Sequence, residues 1–279
     1  MGIRRCRSAA VVLALGVAAL TACDGGDGGV EDSRSSRAVP PPTAATQDGG
    51  SPRATEGAPG LRGKTIVIDP GHNGGNARNP RAINRQVDVG NGKKACDTTG
   101  TSTNAGYPEH AFAWDVAFRL REILAERGAR VVLTRSDDKG VGPCVDRRAE
   151  IGNREKADAA ISIHADGAGP GQHGFHVIEP ALIRGVNNAT VVEESHRLAL
   201  AVRDAFAKGT GLPYSNYRGG GDAIDRRDDL GGLNLSKVPK VFIECGNMRN
   251  SGDAGKLSNA AFRKRIAQSL AQGLQNYLS

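Results

Sequence analysis

The stretch TIVIDPGHNGG, residues 65–75, decides the fold of this chain. Its first four residues are all β-branched, which is typical of a buried strand. Asp-Pro-Gly then breaks the run as a turn, and His72 follows at once. In open α/β sheets, ligands bind just beyond the carboxyl ends of the strands. The sequence therefore predicts that His72 is a metal ligand or a catalytic residue, with a hydrogen-bonded turn histidine as the alternative.

A second histidine repeats this pattern further along the chain. Residues 159–163 (AAISI) read as another strand, and His164 follows it directly. Asp166 is a candidate for orienting that histidine, with a simple turn residue as the alternative. Residues 173 and 176 are further histidines, but strand alternation separates them, so neither is predicted as a ligand.

Glu109 lies between the two histidines, at the start of a predicted helix. The motif Tyr-Pro-Glu opens it, and Glu109 shares the inward face with the apolar positions 112, 116, 120, 123 and 124. A buried carboxylate needs a partner, although a capping glutamate is the alternative. Two histidines and one glutamate form a plausible zinc site with room for water.

A second glutamate, Glu244, ends the apolar run at residues 238–243. An acid at the end of a buried strand is costly without a purpose, and parallel strands would bring it to the same edge as the histidines. We predict that Glu244 is the general base for zinc-activated water. The alternative is a salt-bridged structural acid.

Strand and helix patterns alternate through the rest of the chain. Strands are predicted at 129–134 and 174–178, and helices at 145–155, at 190–206 and near the C-terminus, where residues 257, 262, 266, 270 and 274 share a face. The arginines of 145–155 read as a solvated face. Adjacent Ser195 and His196 diverge on their helix, so they form no dyad. The stretches 76–106 and 209–233 read as long loops. The pattern predicts one α/β domain over residues 61–279.

The N-terminal residues are predicted to direct export and to lie outside the folded domain. Residues 1–22 combine three arginines with a short apolar run, which is typical of a signal peptide. The run ends in Leu-Thr-Ala-Cys, which resembles a lipoprotein cleavage site with acylation of Cys23. An ordinary secretory signal with an unmodified Cys23 is the alternative. Residues 23–60 are rich in Gly, Ser, Pro and Asp and predict a disordered tether.

Charge and composition narrow the range of partners. The chain has a formal net charge of +7, the signal contributes +3 and residues 23–60 contribute −3, which leaves +7 for residues 61–279. This basic balance suits an anionic wall polymer or lipid headgroup. No nucleic-acid-binding signature is present, and aromatic residues are too few for a carbohydrate platform of stacked rings. We expect a monomer.

The cysteines of the predicted domain divide into a pair and a single residue. Cys96 and Cys144 both lie in Gly-, Asp- or Pro-containing loops, and an exported protein tolerates disulfides, so we predict that they form a bond. Cys245 lies in a strand-like run and is predicted to be a buried thiol. No C-x-x-C spacing occurs, which disfavours a cysteine metal site.

Taken in order, these residues resemble the zinc-dependent N-acetylmuramoyl-L-alanine amidases, the cell-wall hydrolases of the cell-division and sporulation type. The matching stretches are IVIDPGHNGG, the Pro-Glu helix start, ARVVLTRSDD, AAISIHADG and GLNLSKVPKVFIECGNMRN. The resemblance implies a twisted mixed sheet of about six strands with helices on both faces. It also implies one zinc ion on His72, Glu109 and His164, with Glu244 as the catalytic acid and base.

The implied reaction is hydrolysis of the amide between the lactyl group of N-acetylmuramic acid and the L-alanine of the stem peptide. The implied location is the outer face of the cell membrane, through a lipid on Cys23, or the cell wall after secretion. Two alternatives remain: a zinc exopeptidase on wall peptides, using Arg218, Arg226 or Arg227 for a terminal carboxylate, and a non-catalytic wall-binding lipoprotein. Asp166 and residues 246–247 depart from the usual family pattern, which leaves substrate preference open.

Overall fold

A computed structural model describes residues 60–279 of the chain. The predicted signal peptide, the acylation of Cys23 and nearly all of the tether lie outside these residues. Within residues 60–279, no helix combines the length and the apolar character that crossing a membrane requires.

In the part of the chain that the structure describes, eight strands form two sheets. The large sheet has the strand order β4-β1-β5-β8-β6-β7, and β2 and β3 form a separate antiparallel hairpin. β1, β4, β5 and β8 are mutually parallel, whereas β6 runs antiparallel to β8. The strands are β1 (Thr65–Pro70), β2 (Gln86–Asp88), β3 (Lys93–Ala95), β4 (Arg130–Leu133), β5 (Ala159–Asp166), β6 (His176–Pro180), β7 (Ile224–Arg227) and β8 (Lys240–Asn247).

Residues 60–279 contain seven α-helices. The four longer helices were predicted from the sequence, and the short α1, α5 and α6 were not. The helices are α1 (Pro80–Ile83), α2 (Glu109–Glu126), α3 (Val145–Arg154), α4 (Ala189–Thr210), α5 (Gly231–Asn234), α6 (Ser251–Leu257) and α7 (Ala260–Leu278).

The hydrophobic core lies mainly between one face of the sheet and three long helices. Phe112 of α2, Leu198 of α4 and Leu270 of α7 are fully buried against β1, β5 and β8. On the other face, Ile151 of α3 packs beside Val67 of β1. Apolar side chains on both faces explain the nearly continuous apolar runs of the central strands. The predicted fold class, a single α/β domain with a mixed six-stranded sheet, is confirmed.

Three predictions about local structure were wrong. The stretches 76–106 and 209–233 are not plain loops, because the first contains α1 and the β2–β3 hairpin and the second contains β7 and α5. These elements have only three or four residues each, too few to show a hydrophobic period. The C-terminal helix is also two helices, because the Asn259 side chain accepts hydrogen bonds from the backbone N–H of Ala261 and Phe262 and so begins α7 after Leu257 has ended α6.

Both predictions about the cysteines of this domain are confirmed. Cys96 and Cys144 form a disulfide across 48 residues, joining the segment after the hairpin to the start of α3. Cys245 is a buried free thiol in β8. The disulfide therefore fixes the hairpin segment beside the carboxyl ends of the central strands.

Candidate metal centre

The order of the central strands brings the predicted residues to one edge of the sheet. β5 lies between β1 and β8, and all three are parallel, so their carboxyl ends lie side by side. His72 follows β1, His164 lies near the end of β5, and Glu244 is its register partner in β8. Glu109 reaches the same edge from the first residue of α2. The structure therefore brings all four residues together.

Three of these residues present donor atoms to a common point. One ligand atom from each of His72, Glu109 and His164 lies within 4.8 Å of the other two. Glu109 Oε1 is 2.8 Å from His164 Nδ1 and 3.2 Å from His72 Nε2. The two imidazole rings meet edge to face, with centroids 4.7 Å apart. We use the name metal centre for these three residues, which could hold a metal ion, together with Glu244 as a candidate site.

Each of the three residues also contacts a neighbour that helps to hold its side chain in place. The His72 Nδ1 atom lies 3.1 Å from the Thr98 carbonyl oxygen, so Nε2 faces the centre. Glu109 Oε2 accepts a hydrogen bond from the Thr101 N–H at 2.9 Å. The Phe242 ring stacks on His164 at 3.9 Å between centroids.

A close approach of the backbone accounts for Gly71. A Cβ at this position would lie 2.2 Å from His164 Cε1, so no side chain fits between the turn and the ring. His72, the next residue, has φ of +57°, in the left-handed region that residues other than glycine rarely adopt. The turn Asp-Pro-Gly-His is therefore a strained connection held by its surroundings.

Glu244 differs from the three donors because one of its oxygens has no partner. Its Oε2 atom is buried and makes no hydrogen bond within the described part of the chain. Burial, together with the nearby charges of Glu109 and Asp166, raises the pKa of Glu244 well above its ordinary value. Glu244 also lines a cavity of about 520 Å³ together with His72 and His164. A substrate in this cavity would thus meet a carboxylate that binds protons readily.

The pKa values of His72, Glu109 and His164 depend on one another. Burial opposes ionisation of His72, but the Glu109 and Asp97 carboxylates together outweigh it and raise the pKa of His72 to about 10. Burial likewise disfavours the charged form of Glu109, yet the two histidines hold its pKa far below the ordinary value. Burial and the His72 charge lower the pKa of His164. The Glu109 carboxylate thus attracts the two imidazoles. A bound cation would replace this attraction, because its own charge would be the largest in the site.

Sequence reasoning missed a buried ion network behind the centre. The arginines of residues 145–155 were predicted as a solvated face, but Arg148 is only 4% exposed. Its guanidinium contacts Asp69 Oδ1 at 2.8 Å and Asp97 Oδ2 at 3.2 Å. Lys240 Nζ contacts the other oxygen of Asp69 at 3.1 Å. The spacing gave no signal for it, because the burial of this helical face, at Arg148 and at Gly152 four residues on, is a property of the folded chain.

Of the two roles considered for Asp166, orienting His164 or lying in a turn, the first has no support, because no hydrogen bond joins the two residues within the described chain. Asp166 Oδ2 instead accepts a hydrogen bond from the Tyr217 hydroxyl at 2.9 Å. The reason is alternation along β5, which places His164 and Asp166 on one face but two residues apart, within reach of different neighbours. The prediction that Ser195 and His196 diverge is confirmed, since His196 contacts Glu179 and the Ser195 hydroxyl accepts from the Lys240 N–H.

Comparison with known proteins gives the family of this chain. The profile of the N-acetylmuramoyl-L-alanine amidase family Amidase_3 matches residues 66–276. The amidase Rv3717 of Mycobacterium tuberculosis is 40% identical over 222 residues, which cover 78% of this chain and 88% of the relative. The probable cell wall amidase LytH of Staphylococcus aureus is 29% identical over 224 residues, and the match spans 60% of its length.

Solved structures of amidases resemble this chain as well. The amidase Ami1 of Mycobacterium smegmatis superposes with a TM-score of 0.73 at 38% identity, covering 78% of this chain and 98% of that one. Ami1 of Mycobacterium abscessus gives the same TM-score at 43% identity, over 78% of this chain and all of that one. These matches confirm the predicted enzyme class, a hydrolase of peptidoglycan. This chain belongs to the N-acetylmuramoyl-L-alanine amidase family.

Proposed function

We propose that this amidase holds one zinc ion on His72, Glu109 and His164 and uses Glu244 as its general base and acid. The substrate bond is the amide between the lactyl group of N-acetylmuramic acid and the L-alanine of the stem peptide. The observation that carries the proposal is the convergence of three donor atoms beside a buried carboxylate oxygen that has no partner. Two imidazole nitrogens and one carboxylate oxygen are a donor set that suits catalytic zinc and leaves a position open.

A zinc ion at this point would polarise the amide carbonyl and make water acidic enough to attack near neutral pH. Glu244 accepts the proton of the attacking water at the unpartnered Oε2 atom. The same carboxyl group then gives this proton to the departing L-alanine nitrogen, which leaves as an amine. Because the pKa of Glu244 is raised, the residue can hold the proton between these two steps.

The exopeptidase alternative has less support from the arginines it would need. Arg226 is paired with Glu179, and Arg227 is paired with Asp229. Two of the three arginines suggested for a terminal carboxylate are thus already neutralised by acids of this chain. This supports cleavage at an internal amide.

We also propose that the enzyme works outside the cell, at the wall, as a monomer. A lipid on Cys23 would attach it to the outer face of the membrane, and residues 23–60 would act as the tether. The export signal predicted in residues 1–22 and the similarity to a probable cell wall amidase support this location. Replacing Cys23 by Ala and measuring release of the protein from membranes tests the anchor.

Digestion of purified muropeptides by the full chain tests the reaction. Mass spectrometry should find a free stem peptide with L-alanine at its amino terminus, and a chelator or Glu244→Gln should abolish this product. Products that keep the lactyl–alanine bond but lose terminal amino acids would establish the exopeptidase instead. A zinc-bound, folded protein that cuts no muropeptide would favour the non-catalytic alternative.

A further inference from the structure

The left-handed conformation of His72 requires an explanation. Its φ of +57° is unfavourable for a residue with a side chain, and the preceding glycine allows the chain to pass within van der Waals contact of His164. A short turn with such a residue persists only where its surroundings over-determine it. The surroundings of this turn therefore help to decide where the His72 ring lies.

Two buried guanidinium groups bind the carbonyl oxygens of this turn. Arg148 donates to the Pro70 oxygen at 2.7 Å and to the His72 oxygen at 3.2 Å. Arg135 donates to the Pro70 oxygen at 3.1 Å and to the Gly71 oxygen at 3.3 Å. The three successive carbonyls of residues 70–72 thus accept hydrogen bonds from two positively charged side chains. We call this arrangement the carbonyl clamp.

The Arg148 side chain also reaches the partners of the His72 ring. Its NH2 group contacts Asp97 Oδ2 at 3.2 Å, and the other oxygen of Asp97 lies 3.4 Å from His72 Nδ1. Asn73 donates to the same Asp97 carboxylate at 2.9 Å. One side chain therefore connects the backbone of His72 with the carboxylate beside its ring.

Arg148 itself is held on every side. Its Nε donates to the Pro143 carbonyl at 2.9 Å, and its NH1 donates to Asp69 Oδ1 at 2.8 Å. Burial would raise the pKa of Asp69, but the charges of Lys240 and Arg148 outweigh it and hold this pKa well below its ordinary value. A lysine cannot reproduce this fork of five donated bonds, because its ammonium is a single point charge.

We propose that Arg148, supported by Arg135, is a positioning residue of the metal centre, and that the carbonyl clamp sets the affinity of the centre for its metal by fixing His72. Neither arginine touches the donor point itself, so both act through His72. The inference rests on the proposed function, because it assumes that His72 is a metal ligand.

The test compares Arg148→Lys with a matched control in the full chain. Arg127→Lys is the control, since Arg127 also donates to a backbone carbonyl, that of Ala271 at 3.0 Å, but lies one helix length from Glu109, about 27 Å. Zinc affinity is measured by competition with a chromogenic chelator, and the ligand geometry by the visible absorption of the cobalt-substituted protein. Muropeptide hydrolysis at saturating zinc gives kcat and KM.

Arg148→Lys should weaken zinc binding about ten- to a hundredfold, alter the cobalt spectrum and lower kcat with little change in KM. Arg127→Lys should stay within about twofold of the wild type. A folded Arg148→Lys protein with wild-type affinity and an unchanged cobalt spectrum overturns the inference alone. A wild-type chain that binds no zinc overturns the proposed function as well.

Arg148→Lys leaves two buried carboxylates less well paired, so a second variant guards against failure to fold. Arg135→Lys removes the contact with the Gly71 carbonyl and keeps Arg148 on Asp69. It should weaken zinc binding in the same direction, by less. If Arg148→Lys does not fold and Arg135→Lys binds zinc as the wild type does, the inference is wrong.

Discussion

Two groups of side chains in this molecule combine a buried glutamate with histidine and yet have opposite characters. The first is the metal centre at the carboxyl ends of β1, β5 and β8. The second consists of Glu179, His196 and Arg226, and we call it the structural cluster. Glu179 is 1% exposed, even less than Glu109 at 5%. Burial of a glutamate beside a histidine therefore does not identify a reactive site.

The difference lies in whether the acceptors are satisfied. In the structural cluster, Glu179 Oε2 lies 2.7 Å from His196 Nδ1, and Oε1 accepts from Arg226 Nε at 2.7 Å. In the metal centre, Glu244 Oε2 is buried without any partner in the described chain. A buried charge whose acceptors are all paired needs no further partner, whereas an unsatisfied buried acceptor costs stability and indicates a bound ligand or a proton to transfer.

Removal of a histidine should separate the two groups most sharply. His164→Ala deletes one of three converging donors, so zinc content should fall and muropeptide hydrolysis should drop by more than about 10³-fold. His196→Ala deletes the histidine of the structural cluster and should leave the rate within about twofold. Metal content by mass spectrometry and initial rates measure both. Hydrolysis that survives His164→Ala would contradict the assigned centre.

Replacement of each glutamate by glutamine should give opposite results. Glu244→Gln removes the proton acceptor and should lower kcat by about 10²–10⁴-fold, while zinc stays bound. Its free energy of unfolding should not fall, because the replaced oxygen has no partner. Rates and denaturant unfolding of the same preparations measure the two effects.

Glu179→Gln should keep the rate and lose stability. The neutral amide weakens both bonds of the structural cluster, and because His196 and Arg226 are partly exposed we expect a loss of about 1–2 kcal/mol in the free energy of unfolding. Chemical denaturation with an activity assay checks this. A large loss of activity with unchanged stability would mean that the structural cluster also serves the reaction.

His176 extends the comparison, because it lies in β6 on the face of Glu244 whereas Glu179 faces α4. Burial, helped by the charges of Arg218 and Arg227, lowers the pKa of His176 to about 4, against 6.5 in the unfolded chain. The unfolded state therefore binds more protons between pH 4 and 6.5, and stability must rise with pH across this window. The contribution is complete above pH 6.5 and is lost as the pH falls towards 4.

In His176→Gln, the increase in the free energy of unfolding between pH 4 and pH 6.5 should be smaller by about 2–3 kcal/mol. The measurement is the free energy of unfolding of wild type and variant at several pH values between 4 and 7. Parallel curves for the two proteins would show that His176 is not the group responsible.

The smallest effect is expected at the exposed end of the structural cluster. The Arg226 side chain is 57% exposed, so its ion pair with Glu179 is screened by solvent. Arg226→Ala should lower the free energy of unfolding by no more than about 1 kcal/mol, and less at high salt. Unfolding curves at two salt concentrations measure this. A salt-independent loss of several kcal/mol would show that the pair behaves as a fully buried one.

Local patterns were sufficient for the long elements and for the residues of the metal centre. The β-branched run before His72 and the apolar run before Glu244 each indicate a buried strand ending at a polar residue. Parallel strands bring such ends to one edge of a sheet, so the convergence followed from the pattern. The hairpin, β7 and α5 were missed because elements of three or four residues carry no measurable period.

The sequence by itself determined the fold class and singled out four polar residues, at strand ends and a helix start, that the structure brings to one edge of the sheet. Only the tertiary structure decided which charges are buried and which are satisfied. Asp69 and Lys240 are paired across 171 residues. Arg148 of α3, which was predicted to be solvated, instead binds a carbonyl of a turn 76 residues earlier. Such pairings depend on which strands and helices lie side by side, and no local property of the chain records that arrangement.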